Sequence, residues 1–177
     1  MTIEALMAVA QPPIEPVDAF DGPWEPIEAV FGTPLPQDFK DLARRYGAGT
    51  FLEILQVHMP SSPEPGMDLI WQARNIRAGL LQLDNLEEPL WPDPEGLIPF
   101  GQTDYSDFLF WRPRGPPDSW PIVIWGRGLQ EFETIDCGLT DFLTGLATGE
   151  IETENLPDDL ASCPIIFQPL VRGKSDD

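Results

Sequence analysis

The chain has one histidine, His58, two cysteines, Cys137 and Cys163, and two lysines, Lys40 and Lys174. A lone imidazole and two thiols far apart in sequence, with no CxxC pair, argue against a zinc cage and fit a reducing cytoplasm. No apolar run approaches the roughly 18 residues needed to cross a bilayer, and the opening MTIEALMAVAQPPIEP lacks the basic region of an export signal. The expected location is therefore the cytoplasm, away from any membrane. GxxxxGK[ST], GxGxxG and GxSxG are all missing, so there is neither a phosphate cradle nor a nucleophile elbow, and no cofactor is expected. His58, beside Met59 and Pro60, would have to act alone as a general base; a structural or surface histidine is the expectation.

Basic residues are scarce everywhere. Thirty acids against ten bases give a formal charge of −20. Residues 1–39 hold no Lys or Arg, 78–111 carry seven acids and no base, and 128–171 carry nine acids and no base. Such a charge disfavours nucleic acid and anionic membranes and steers a basic partner inward, although acidity also serves solubility alone.

With 177 residues, 42% of them hydrophobic, the chain suits one domain. Residues 1–20 are rich in proline and acid and read as a flexible arm, 21–171 as the domain, and 172–177 as a disordered tail. Trp24, Ile27, Val30 and Phe31 recur at helical spacing, with Gly32 placed to end the helix. Pro36 opens a second helix whose stripe is Phe39, Leu42, Ala43 and Tyr46, stopped by Gly47. The run TFLEILQVH predicts one strand between Gly49 and Met59. Leu69, Ala73, Ile76, Leu80 and Leu83 predict a helix over 67–83.

Three apolar runs follow, FLFWR at 108–112, PIVIW at 121–125 and LQEFETI at 129–135, the last two joined by Gly126-Arg127-Gly128 as an antiparallel hairpin. Leu139, Phe142, Leu143 and Leu146 predict a final helix stopped by Gly149, and PIIFQPLV an edge strand or extended tail. Helices, then a strand meander, then a helix make an α+β fold, with helices packed on a mainly antiparallel sheet.

Candidate chemistry rests on carboxylates. Asp104 and Asp107 lie three apart in IPFGQTDYSDFLFW, and Glu131 and Glu133 share one face of a strand. The four together have the oxygen donors for a hard cation, but the EF-hand spacing is absent and no metal site is expected. With no histidine, lysine or cysteine placed to assist, IPFGQTDYSDFLFW reads as a loop leading into a strand. In that reading Pro99 and Phe100 close over the core, while Asp104 and Asp107 shape the turn or face solvent. Most aromatics sit in periodic apolar runs. Trp91 and Trp120 are flanked by proline instead, and either caps the core or stands exposed as a contact anchor.

FGTPLPQDFKDLARRYGAGTF, then IPFGQTDYSDFLFW, PIVIW and LTDFLTGLATG, in this order over residues 24–149, resemble the SUKH superfamily, in the branch named for yeast cell-wall regulators. The turn at Tyr105 and Ser106 departs from the glycine often found there. The resemblance implies an α+β fold and, in bacteria, non-enzymatic immunity proteins that neutralise polymorphic toxins, frequently nucleases. A protein partner, a basic toxin domain, is thus expected, and neither nucleic acid nor a membrane. The expected contacts are Asp84, Glu87, Glu88, Asp93, Glu95, Asp104, Asp107, Glu131 and Glu133, with Trp91 and Trp120 as anchors. A scaffold or regulator with the same fold, and a small metal-dependent hydrolase, remain the alternatives.

Overall fold

The computed structural model describes residues 3–84 and 86–172; residues 173–177 of the expected tail lie outside the described residues. The chain runs α1 (Ile3–Val9), α2 (Glu25–Phe31), α3 (Gln37–Arg45), β1 (Gly49–Phe51), β2 (Leu55–Val57), α4 (Leu69–Leu80), β3 (Ile98–Thr103), β4 (Phe108–Trp111), β5 (Ile122–Gly126), β6 (Glu131–Ile135), α5 (Leu139–Thr148) and β7 (Phe167–Pro169). The strands form one sheet in the order β6-β5-β4-β3-β2-β1-β7, every neighbouring pair antiparallel. Helices on a seven-stranded antiparallel sheet are the α+β architecture expected.

Both faces of the sheet are buried. Side chains alternate along a strand, so on β4 Leu109 and Trp111 join the main core while Phe108 and Phe110 join a second cluster, and on β5 Ile122 and Ile124 oppose Val123 and Trp125. The main core takes Leu6 of α1, Phe39 and Leu42 of α3, and Phe142 and Leu143 of α5. The second takes Ile76 and Leu80 of α4, which lies against β3. Trp111 centres the first, stacked on Phe100 with centroids 4.4 Å apart and edge-on to Phe39 at 4.9 Å. Burying each such side chain stabilises by roughly 1.5–3 kcal/mol.

The helix stops follow the sequence: Gly32 and Gly149 both end their helices in the left-handed region at φ 75°. Asp68 caps α4, accepting the Trp71 N–H at 2.7 Å. Three expectations change. The predicted strand between Gly49 and Met59 is a tight hairpin, β1 and β2, turned at Leu52 and Glu53 with φ of 50° and 63°. Such a turn ordinarily advertises itself by Asn-Gly, and Leu-Glu gives no such signal. Ile98–Thr103 is not a loop but the central strand β3, disguised by Pro99 and by the register shift between Pro99 and Gly101. Only 104–107 is the turn.

The third change concerns the arm. Ile3, Leu6 and Ala10 are buried, and α1 packs on α3 and α5. The Tyr46 hydroxyl donates to the Ala10 carbonyl at 2.5 Å, and the Val17 carbonyl accepts the Ala48 N–H at 2.6 Å. Gly47 makes this approach possible: its φ is +63°, and a Cβ there would stand 2.1 Å from the Val17 oxygen. Asp18 also pairs with Arg172. Residues 3–20 are therefore fastened to the domain, by an apolar stripe too short to register as periodic.

Candidate partner-binding surface

Because β1 to β6 are successive antiparallel neighbours, the turns after β1, β3 and β5 emerge at one end of the sheet. They are tied together there. The Asp104 N–H donates to the Ile54 carbonyl at 3.0 Å, joining the second turn to the first, and the Asp104 carboxylate accepts from Gln56 Nε2 at 3.0 Å. Asp107 is buried and joins the second turn to the third. It accepts the Thr103 hydroxyl at 2.7 Å and the Arg127 N–H at 2.9 Å. Its role is to hold the turns, so it leaves the set of contact candidates.

The result is a fixed platform. Tyr105 is 60% exposed and Leu129 55% exposed, and Glu53, Asp104, Arg127 and Glu154 are exposed around them. Tyr105, Arg127 and Glu154 line an open depression of about 550 Å³ whose floor includes Leu156 and Pro157. Exposed Tyr and Arg on a rigid support are the residue types that dominate protein interfaces. Sequence reasoning missed both. The available signal was an aromatic residue set between acids in a turn, which cannot be a core position.

Beside the platform lies a narrower cleft of about 80 Å³. Leu83, Asp84, Leu86 and Glu87, beyond α4, face Trp125, Gln130, Glu131 and Phe132 of the β5–β6 hairpin. Asp84, Glu87 and Glu131, distant in sequence, thus share one apolar-floored site. Glu133 is occupied otherwise: its carboxylate accepts the Glu154 and Asn155 N–H groups at 3.1 and 3.3 Å and anchors that loop.

The remaining candidates lie on the segment leading to the opposite end of the sheet. Glu88 grips Arg112 with two hydrogen bonds of 2.8 and 2.9 Å, which hold its carboxyl below the usual range. Trp91 is half-buried against Phe31, with centroids 5.1 Å apart. Asp93 stands 3.9 Å from Arg77, and Glu95 is exposed in a left-handed turn at φ 57°. Trp120 is 3% exposed and donates its indole N–H to the Gly115 carbonyl at 3.1 Å. It caps the core and offers a partner nothing.

His58 is fully buried, neither ring nitrogen has a hydrogen-bond partner in the protein, and burial lowers its pKa to about 3. Among the described residues no three His, Cys, Asp or Glu side chains converge so as to hold a metal ion. A cavity of about 370 Å³ is lined by acids that include Asp38, Asp41 and Asp118; Asp41 accepts from the Gln37 and Arg44 side chains, and the other two serve helix starts. Asp118 accepts the Gln37 N–H at 2.6 Å at the start of α3, and Asp38 accepts the Thr140 N–H at 3.1 Å at the start of α5. Burial raises the Asp38 pKa. Among the described residues no helix is long and apolar enough to cross a membrane.

Fold and surface together define a helix-flanked antiparallel sheet with an acidic, turn-built end. Residues 21–143 match the family described as SMI1-KNR4 cell-wall, SUKH_6, and the chain belongs to that family, within the SUKH superfamily. The family is generally non-catalytic, and membership is consistent with an immunity-type protein. No curated protein and no solved structure matches the chain.

Proposed function

We propose that this chain is a bacterial immunity protein that binds a cognate polymorphic toxin in the cytoplasm and neutralises it by occlusion, without chemistry of its own. The toxin is a basic nuclease. A nuclease must present cationic surface to hold phosphates, and a partner of charge −20 is drawn to that surface and competes for it. The observation that carries the reading is the turn end of the sheet, where Tyr105 and Leu129 are exposed beside Asp104 and Glu131, and Asp84 and Glu87 line a cleft with Glu131. Charge supplies rapid encounter, and the aromatic and aliphatic groups supply the buried centre of the contact.

The test is growth of cells expressing the toxin domain encoded beside this gene. Co-expression of the wild-type chain should restore growth. The triple variant Asp84→Lys, Glu87→Lys and Asp104→Lys should protect less, with association slowed by about tenfold or more at low salt. A scaffold of the same fold would leave growth inhibited, and that result would end the immunity reading.

A further inference from the structure

The two faces of α4 differ from those of an ordinary surface helix. Leu69, Ala73, Ile76 and Leu80 point inward and are buried in the two core clusters. The opposite face carries Trp71, Arg74, Asn75 and Ala78, with Leu81 at the cap, again at steps of three and four residues, and all five are exposed. Trp71 is 48% and Leu81 47% exposed. These two large apolar groups stand at the two ends of one stripe, about 15 Å apart along the helix. The surface between them is low towards the Leu81 end, where Ala78 and Gly79 follow one another and a Cβ added to the glycine would meet nothing within 4 Å.

Charge narrows what can cover this stripe. Among the described residues α4 is the one helix of five without Asp or Glu; its charges are Arg74 and Arg77, the second 3.9 Å from Asp93. A basic partner drawn to the acids elsewhere is not drawn here. Two copies of this chain, each of charge −20, repel one another at long range, but physiological salt screens charges more than roughly 8 Å apart. The groups that touch then decide, and the outer face of α4 brings two copies together without setting carboxylate against carboxylate.

The stripe is also complementary to itself. When two copies of α4 lie antiparallel about a two-fold axis near Ile76, Trp71 falls opposite the other copy's Leu81, and Arg74 lies across the other copy's Ala78. Each bulky group meets a smaller one, and the symmetry repeats the match. A parallel arrangement would set Trp71 on Trp71 and Arg74 on Arg74.

We propose that the outer face of α4 is the interface of a homodimer, in which two antiparallel copies of the helix pack across a two-fold axis. One helix face covers less than the roughly 800 Å² per partner of a stable interface. Association is therefore weak and develops at high chain concentration. The proposal does not rest on the toxin reading, and the chain alone tests it.

The measurement is sedimentation equilibrium from about 10 to about 300 µM chain, a range suited to a weak interface. The mean mass should rise towards twice that of the chain, and raising salt from about 0.05 to 0.5 M should tighten the dimer by about tenfold, because screening removes the repulsion between copies. Ala78→Arg, which places a long charged group at the small position, should weaken the dimer by at least about tenfold and leave the urea midpoint of the dilute chain unchanged. Val171→Ser, at another exposed apolar site, should leave the dimer intact. A chain that stays monomeric at about 300 µM in high salt overturns the proposal. So does a dimer that added salt dissociates, that ignores Ala78→Arg, or that Val171→Ser abolishes.

Discussion

His58 gives the account a sharp physical handle. Its imidazole is fully buried, its nitrogens have no partner in the protein, and it stays neutral in the fold down to about pH 3. In the unfolded chain it titrates near 6.5. Between those values the unfolded state binds a proton that the native state refuses, so stability falls as pH drops below about 6.5 and the loss levels off near 3. Each pH unit in that window costs about 1.4 kcal/mol, so moving from pH 7 to pH 5 costs about 2 kcal/mol from this one group.

The assay is urea unfolding followed by tryptophan fluorescence, comparing wild type with His58→Leu at both pH values. The many carboxylates change protonation in both proteins, so the difference between the two pH responses isolates the imidazole. With a urea slope of about 2 kcal/mol/M, the wild-type midpoint should fall relative to the variant by about 1 M. As the sole histidine, its ring also gives one set of proton resonances, which should show no titration above about pH 4 in the folded protein. Parallel responses of the two proteins, or a ring titrating near 6.5, would refute the burial argument.

Other substitutions probe the remaining assignments by equilibrium unfolding. Glu88→Gln should cost about 1–2 kcal/mol at neutral pH by breaking the paired bonds to Arg112. Because that carboxyl is held below its ordinary value, its contribution is present above about pH 4.5 and the gap from wild type should close as pH falls below it. Trp120→Ala should destabilise by about 3–5 kcal/mol, as expected of a core tryptophan; a change near zero would return it to the surface. Leu6→Ala should cost about 2–5 kcal/mol because α1 is part of the core, whereas a loosely held arm would tolerate it.

The long amphipathic helices were legible because each carries a full stripe and a glycine or capping residue at its end: Phe39 to Tyr46, Leu69 to Leu80 and Leu139 to Leu146. The β5–β6 hairpin was legible from two apolar runs around paired glycines, although its turn spans Arg127–Gln130. What escaped were elements whose local signals conflict with their place in the fold. Leu52 and Glu53 turn the chain with residues that seldom do so, and Pro99 sits inside a central strand. α1 is only seven residues long among prolines and acids.

Charge grouping brought out Asp84, Glu87 and Glu131, which the fold gathers into one cleft. It could not separate them from Asp107, Glu133 and Glu88, whose carboxylates are spent inside the protein on Thr103, Asn155 and Arg112. Composition shows how many acids there are. Only the fold shows which are free to meet a partner.

The central claim is tested most directly by isolating this chain together with the protein encoded beside its gene. A stable complex with a basic toxin domain, whose association slows with added salt and with reversal of Asp84, Glu87 and Asp104, is the predicted result. No complex with that protein, or a complex whose association is indifferent to both salt and reversal, would contradict it.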